Sequence, residues 1–387
     1  MSTRRAGRGV AALAAAVAAL VVALGLAACG GGGDGGIEGG GGDTEAATVE
    51  LEDKASGSMT ISNWPLYIDK QSVPDFEQDT GVSVKYVEDV NSNEEFFSKM
   101  QPLLSKGESG GRSLFVVTDW MANKMNELGY LQKFDKSAMP NFEKNLVSNL
   151  RSPSYDPKRE FSAPWQSGMT GLIVNKELAP EVRSICDLFD PKYKGKVEML
   201  NELRDTVPLV MKCEGVDPDG ADEADWMKAI DKIKGAAESG QIRRFTGNDY
   251  AADLTNGNAA AVIGWSGDAV QLQADNPNIE WRMPTEGCIL WSDNMVIPVG
   301  APNPTAASEW INWTYEPKNE AQIEAYVNYV SPVEGVKPIL LKKEPEIAEN
   351  QLIFPSKSFT KNCSIQPSLG GEEEQSINRA FNAVLNG

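Results

Sequence analysis

From Met59 onward the chain alternates short apolar runs with amphipathic stretches, and this alternation narrows the fold more than any other feature. Met59 to Ser62 predicts a strand, Ser72 to Thr80 a helix ended by Gly81, and Val82 to Val87 a second strand. Asn93 to Lys106 is helical by the spacing of Phe96, Phe97, Met100, Leu103 and Leu104. Leu114 to Val117 is a wholly apolar strand, and Asp119 to Leu128 a helix with Gly129 near its end. Strand–helix alternation of this kind is the pattern of parallel strands covered by helices. A second alternating block follows. Thr170 to Val174, Lys196 to Leu200, Ala259 to Gly264 and Ile289 to Val299 read as strands. Thr206 to Cys213, Ala224 to Ala237, Asp268 to Gln273, Ala306 to Trp313, Glu320 to Val330 and Glu372 to Leu385 read as helices. No repeat of solenoid period is visible, so the expectation is an α/β fold of two lobes with segments passing between them.

Open α/β sheets bind ligands beyond the carboxyl ends of their strands. The residues at those predicted mouths are unusually uniform. Asn63-Trp64-Pro65-Leu66-Tyr67 follows the first strand, and Thr118-Asp119-Trp120 follows Val117. Asn201-Glu202-Leu203-Arg204-Asp205 follows Leu200, and Trp265-Ser266-Gly267-Asp268 follows Gly264. Trp291-Ser292-Asp293 lies within the segment from Ile289. Indole faces attract cations and pack on methylene chains, whereas carboxylates bind ammonium by charge-assisted hydrogen bonds. A site alternating the two suits a long, flexible, protonated amine. Taken singly, each residue has a plainer use: a Trp at a strand end is more often core, and Asp119, Asp205 or Asp268 can serve only a helix start. The coincidence at several strand mouths is what favours a site.

Composition excludes several chemistries. The 387-residue chain has no histidine, which rules out Ser-His-Asp and Cys-His nucleophiles and His-ligated zinc. Its formal charge of −19 becomes −22 once residues 1–28, with three arginines and no acid, are removed. So acidic a chain is a poor partner for nucleic acid or anionic lipid. The start of the chain explains those arginines. Arg4, Arg5 and Arg8 precede an apolar run from Val10 to Leu26, then Ala27-Ala28-Cys29. This is a secretory signal whose end resembles the lipobox of bacterial lipoproteins, with cleavage before Cys29 and acylation of its thiol as the expectation. Gly30 to Asp43 holds ten glycines and three acids, and a flexible tether is expected over residues 29–57. The place of work is then outside the cytoplasm, on the outer face of the cytoplasmic membrane or in a periplasm. Cys186, Cys213, Cys288 and Cys363 remain, an even number for an oxidising compartment. Three pairings are open. The reading leans to Cys186–Cys213 with Cys288–Cys363, and none of the four has metal-site spacing.

With these residues in view, the chain resembles the extracellular spermidine/putrescine-binding proteins of polyamine ABC importers from about Met59 to its C-terminus. The patterns that carry the likeness are Asn63-Trp64 with Tyr67, Val117-Thr118 with Trp120 and Lys124-Met125, Asp190-Pro191-Lys192-Tyr193-Lys194-Gly195, Glu286-Gly287 leading to Trp291-Ser292-Asp293, and Asn328-Tyr329. The resemblance implies a two-lobed type II periplasmic-binding-protein fold with the ligand in the cleft. It sets lobe one at about 58–167 plus 288–336 and lobe two at about 168–287 plus 337–387. By the same resemblance Trp64, Tyr67, Trp265 and Trp291 line and stack along the ligand slot, and Thr118 supplies a hydroxyl. Trp120 stands where tyrosine is common. Glu202 and Asp205 take one amine end, in exchanged order of acid type. Asp293 recognises an inner or far amine, and Tyr329 and Gln366 serve the other end. Pro65 replaces a usual hydroxyl, and Asp119 adds an acid beside the slot. The implied protein is a monomeric receptor that hands its ligand to a membrane permease, with no covalent chemistry and no cofactor. A secreted carboxylate hydrolase acting on glycans is the other reading of acids and tryptophans in a cleft. The same fold holding another amine or small solute is a third.

Overall fold

The computed structural model describes residues 48, 50–367 and 369–387. The signal segment, Cys29 and the glycine tract lie outside the described residues. Ten strands form one continuous mixed sheet: β1 (Ser58–Asn63), β2 (Ser83–Glu88), β3 (Leu114–Thr118), β4 (Ala163–Asn175), β5 (Val197–Leu200), β6 (Ile242–Thr246), β7 (Ala261–Trp265), β8 (Ile279–Arg282), β9 (Ile289–Val296) and β10 (Ser364–Ile365). Their spatial order is β2-β1-β3-β9-β4-β7-β5-β6, with β8 on β4 and β10 on β9.

The first block forms as its sequence pattern predicts. β1 pairs β2 and β3 in parallel, and helices Ser72–Thr80 and Asn93–Leu104 connect them. The first helix stops where Gly81 turns left-handed at φ 78°, its N–H closing on Glu77 O at 2.9 Å. The second begins at Ser92, whose side chain accepts the Glu95 N–H at 3.1 Å. β5, β6 and β7 form a second parallel set.

Two strands join these sets. β9 pairs antiparallel with β3 over Asp293–Val296 and with β4 along most of its length. β4 continues past that pairing to β7 and β8. At thirteen residues β4 is far longer than the segment from Thr170 to Val174 that its apolar run predicts. Its first half breaks the apolar pattern at Pro164, Gln166 and Gly168, yet it is buried almost throughout.

Both favoured disulfides are present, Cys186–Cys213 and Cys288–Cys363. The second fastens the start of β9 to β10. The expected tether runs too far: Glu52 N–H donates to Thr305 Oγ1 at 2.9 Å, Asn303 Nδ2 donates to Ser56 O at 2.7 Å, and Ala55 is buried. Residues 52–56 therefore pack on the folded body, because that body offers their backbone hydrogen-bond partners. Among the described residues no helix is long and apolar enough to cross a membrane.

Candidate functional site

A cleft of about 400 Å³, open solvent included, lies where the ends of β1, β3, β5 and β7 face the crossing strand β9. It is lined by Trp64, Pro65, Tyr67, Asn93, Thr118, Glu202, Asp205, Asn248, Trp265, Asp268, Trp291, Asp293, Tyr329 and Gln366.

The walls are aromatic. Trp64 meets Trp265 edge to face at 6.0 Å between ring centroids. Tyr329 stands 5.2 Å from Tyr67 and 5.5 Å from Trp291. Two glycines let these rings in. A Cβ on Gly168 would fall 2.4 Å from Trp291 Cζ2, and one on Gly267 would fall 2.3 Å from the Tyr329 ring. Neither clash is cheaply relieved, since both rings are packed and buried.

Four carboxylates enter the cavity, each aimed by neutral donors. Asp293 on β9 accepts from Thr118 Oγ1 at 2.8 Å and from Tyr67 Oη at 3.0 Å. Asp268, in the first turn of helix Ser266–Asp275, accepts from Tyr329 Oη at 2.7 Å, Tyr250 Oη at 2.6 Å and Asn248 Nδ2 at 2.8 Å. Asp205, in the first turn of helix Leu203–Cys213, accepts from Thr170 Oγ1 and from Gln366 Nε2, the latter at 3.2 Å. Glu202, just before that helix, accepts the Asn93 N–H at 2.8 Å. Asn93 also donates through Nδ2 to Thr118 Oγ1 at 2.9 Å, so one run of hydrogen bonds connects Glu202 with Asp293.

Among the described residues, none of the four acids makes an ion pair with Lys or Arg. Burial without a cation disfavours their ionised forms. It pushes Asp205 and Asp293 up to about 7. It pushes Glu202 well above the usual range, with the charges of Glu94 and Asp205 adding to the effect. It also raises Asp268, against the pull of three donors. Asn248 Oδ1 and Gln366 Oε1, both buried acceptors, find no donor among the described residues. The arrangement thus presents acceptors and negative charge between π faces, the complement of a positively charged, donor-rich chain. Among the described residues there is no grouping of three or more Cys, Asp or Glu fit to hold a metal.

Ten of the twelve residues singled out in the sequence line this cavity: Trp64, Tyr67, Thr118, Glu202, Asp205, Trp265, Trp291, Asp293, Tyr329 and Gln366. Asp119 and Trp120 do not. Both follow Thr118 into helix Asp119–Glu127, where successive side chains turn by about 100° around the axis, so only Thr118 keeps the cavity-facing direction. Asp119 instead accepts from Tyr155 Oη at 2.5 Å and Asn294 Nδ2 at 2.6 Å. Trp120 lies under the Arg204 guanidinium, 3.7 Å from the ring centroid. Asp268, Asn93 and Asn248 join the site unpredicted. Asp268 gave a signal at the mouth of its strand, but it equally suits a helix start; the two asparagines carry no charge to mark them.

Two joined strand systems with a cleft of aromatic rings and buried acids at their crossing have the form of a solute-binding protein. The comparisons agree. The sequence matches the family described as bacterial extracellular solute-binding protein over residues 71–355, and the chain belongs to that family. It is 27% identical over 319 residues to the spermidine/putrescine-binding periplasmic protein of Escherichia coli, covering 81% of this chain and 88% of that one. It is 26% identical over 355 residues to a putrescine/agmatine-binding protein of Pseudomonas aeruginosa, covering 86% and 93%. A solved structure described as a putative spermidine/putrescine ABC transporter from Listeria monocytogenes superposes with a TM-score of 0.76 at 28% identity, covering 84% of this chain and 98% of that one. The spermidine/putrescine ABC transporter substrate-binding protein of Streptococcus pneumoniae does so with a TM-score of 0.69 at 26% identity, covering 85% and 98%. The fold is therefore the two-lobed type II periplasmic-binding-protein fold with its ligand cleft.

Proposed function

We propose that this protein captures protonated polyamines of the spermidine and putrescine class outside the cytoplasm and delivers them to an ABC importer. The observation that carries this reading is the set of four buried carboxylates, each oriented by neutral donors and none paired with a cation among the described residues, between tryptophan and tyrosine rings. Polyamine nitrogens have pKa values near that of lysine, about 10, and arrive charged. Carboxylates hold the ammonium groups while the rings cover the methylene chain between them. The roles of the ten lining residues singled out in the sequence follow from this, and Asp268 adds a fourth acid. Lobe one is taken as 58–167 plus 288–336 and lobe two as 168–287 plus 337–387, with β4 and β9 as the segments that flex on closure. Cys29 is read as the lipid attachment point that keeps a monomeric receptor at the membrane.

Titration calorimetry of the soluble domain with spermidine, putrescine, spermine and a neutral sugar tests the ligand class. Saturable binding of at least one polyamine and none of the sugar is expected. Heat from the sugar alone would favour the glycan reading. The anchor is tested separately: Cys29→Ala should move the protein from the membrane fraction to the medium or periplasm, with unchanged affinity of the soluble domain.

A further inference from the structure

Outside the cavity, next to its Glu202 end, lies a second charged cluster that the binding reading does not use. Glu374, in helix Gly371–Leu385, accepts from Lys124 Nζ at 3.2 Å and from Arg204 Nη2 at 2.9 Å through the same oxygen. Arg204 also lies 3.7 Å above the Trp120 ring, and its Nη1 is 3.9 Å from Glu94 Oε1. The Arg204 side chain is 1% exposed and that of Glu374 14%, so their attraction is stronger than that of an ordinary surface pair, while Lys124, 32% exposed, leaves the cluster open to salt. By the lobe reading above, Glu94, Trp120 and Lys124 belong to lobe one, and Arg204 and Glu374 to lobe two. Among the described residues, the ion pairs that cross this boundary are Lys124–Glu374 and Arg204–Glu94, both in this cluster.

We propose that Glu374, bridging Lys124 and Arg204 over Trp120, is an interlobe clasp that holds the cleft shut and sets how slowly ligand leaves. The C-terminal helix thereby acts as the strap of the closed state. Trp120 serves as the seat for Arg204 instead of a platform for ligand. The clasp is also joined to the cavity. Glu94 Oε1 is 3.9 Å from Arg204 Nη1, and its charge opposes ionisation of Glu202. An ammonium group on Glu202 removes that repulsion and leaves Glu94 to hold Arg204, so ligand and clasp favour the same state.

The clasp rests on the lobe reading and is measured with spermidine as probe, by stopped-flow tryptophan fluorescence on wild type, Glu374→Gln, Lys124→Met and the double variant. Each single variant should release spermidine roughly three- to tenfold faster, with association nearly unchanged. Because the two cations share one acceptor, the double variant should be little faster than Glu374→Gln alone. High salt should shrink the difference from wild type, which a purely structural defect would not do. Equal melting temperatures would show that the variants fold. Wild-type dissociation rates in both single variants, or strictly additive effects, would overturn the clasp. If wild type does not bind spermidine, the polyamine reading fails by itself, and small-angle scattering of the unliganded proteins decides the clasp. Larger radii of gyration in the variants support it, and equal radii refute it.

Discussion

Filling the cavity with a polyamine at neutral pH should expel protons. Asp205 and Asp293 are pushed up to about 7 by burial, so each is about half protonated at pH 7. An ammonium group within hydrogen-bond reach restores the ionised form, and together the two acids release about one proton. Glu202, which burial and the charges of Glu94 and Asp205 also raise, adds to the release. The ligand's own amines stay charged, since their pKa values lie near 10. Calorimetric titrations with spermidine in buffers of different ionisation enthalpy read the number directly. Release of at least about one proton at pH 7 is expected, larger near pH 6 and falling as pH rises through about 8, with affinity tightening over the same range. The stability of the unliganded protein moves the opposite way. A carboxylate whose folded pKa is raised stabilises the fold below its unfolded pKa, near 4, and that contribution is lost as pH rises through about 7. Each of these two acids, once ionised, then costs roughly 4 kcal/mol. Melting temperature without ligand should therefore fall between about pH 5 and pH 8, and spermidine should restore it. Zero net proton exchange across that range, or proton uptake, would refute the account of the site as cation-starved acids.

Three further outcomes follow from the geometry. Asp293→Asn leaves an ammonium without its buried counter-charge and should weaken spermidine binding by roughly 3 kcal/mol or more in calorimetry, with one of the Tyr67 and Thr118 hydroxyls losing its acceptor. Gly267→Ala drives a Cβ into Tyr329, displacing the hydroxyl that orients Asp268; it should lower both affinity and melting temperature, whereas Gly81→Ala, at an open position, should lower only the latter. Glu324 is fully buried on helix Pro317–Val327 with no hydrogen-bond partner for either oxygen among the described residues, and burial followed by the charge of Glu320 raises it well above the usual range. Glu324→Leu should stabilise the protein by roughly 1–4 kcal/mol, more at pH 8 than at pH 5, as chemical denaturation would reveal; a loss of stability at both pH values would count against the carboxyl as a burden on the fold.

The sequence revealed structure wherever local chemistry and burial agreed. Helix Ser72–Thr80 was legible to the residue because Gly81 ends it, and β3 because Leu114 to Val117 is apolar throughout. β6 was missed because Arg243 and Arg244 leave Ile242–Thr246 without an apolar run, although they close on Glu198 and Asp253. The first half of β4 was missed because a crossing strand covered on both faces need not alternate, and Pro164 and Gly168 look like loop residues. The acids at the strand mouths were legible because carboxylates beside indoles are chemically conspicuous. Asp268 shows the limit of that logic: the same residue both starts a helix and enters the cavity, and a local role in the chain did not exclude a distant one. Asp119 and Trp120 show the reverse limit, since correct placement at a strand mouth does not fix side-chain direction.

The Cys288–Cys363 bridge makes one wall of the cavity sensitive to oxidation state. Gln366, which reaches Asp205 in the cavity wall, is positioned by a short strand held to β9 through the bridge and two backbone hydrogen bonds, Ser364 N–H to Cys288 O and Gln366 N–H to Leu290 O. With the bridge reduced, only those hydrogen bonds would fasten this wall of the site. The oxidation state of two cysteines outside the cavity lining would then set how firmly this wall holds. Spermidine should accordingly dissociate faster from the reduced protein than from the oxidised one.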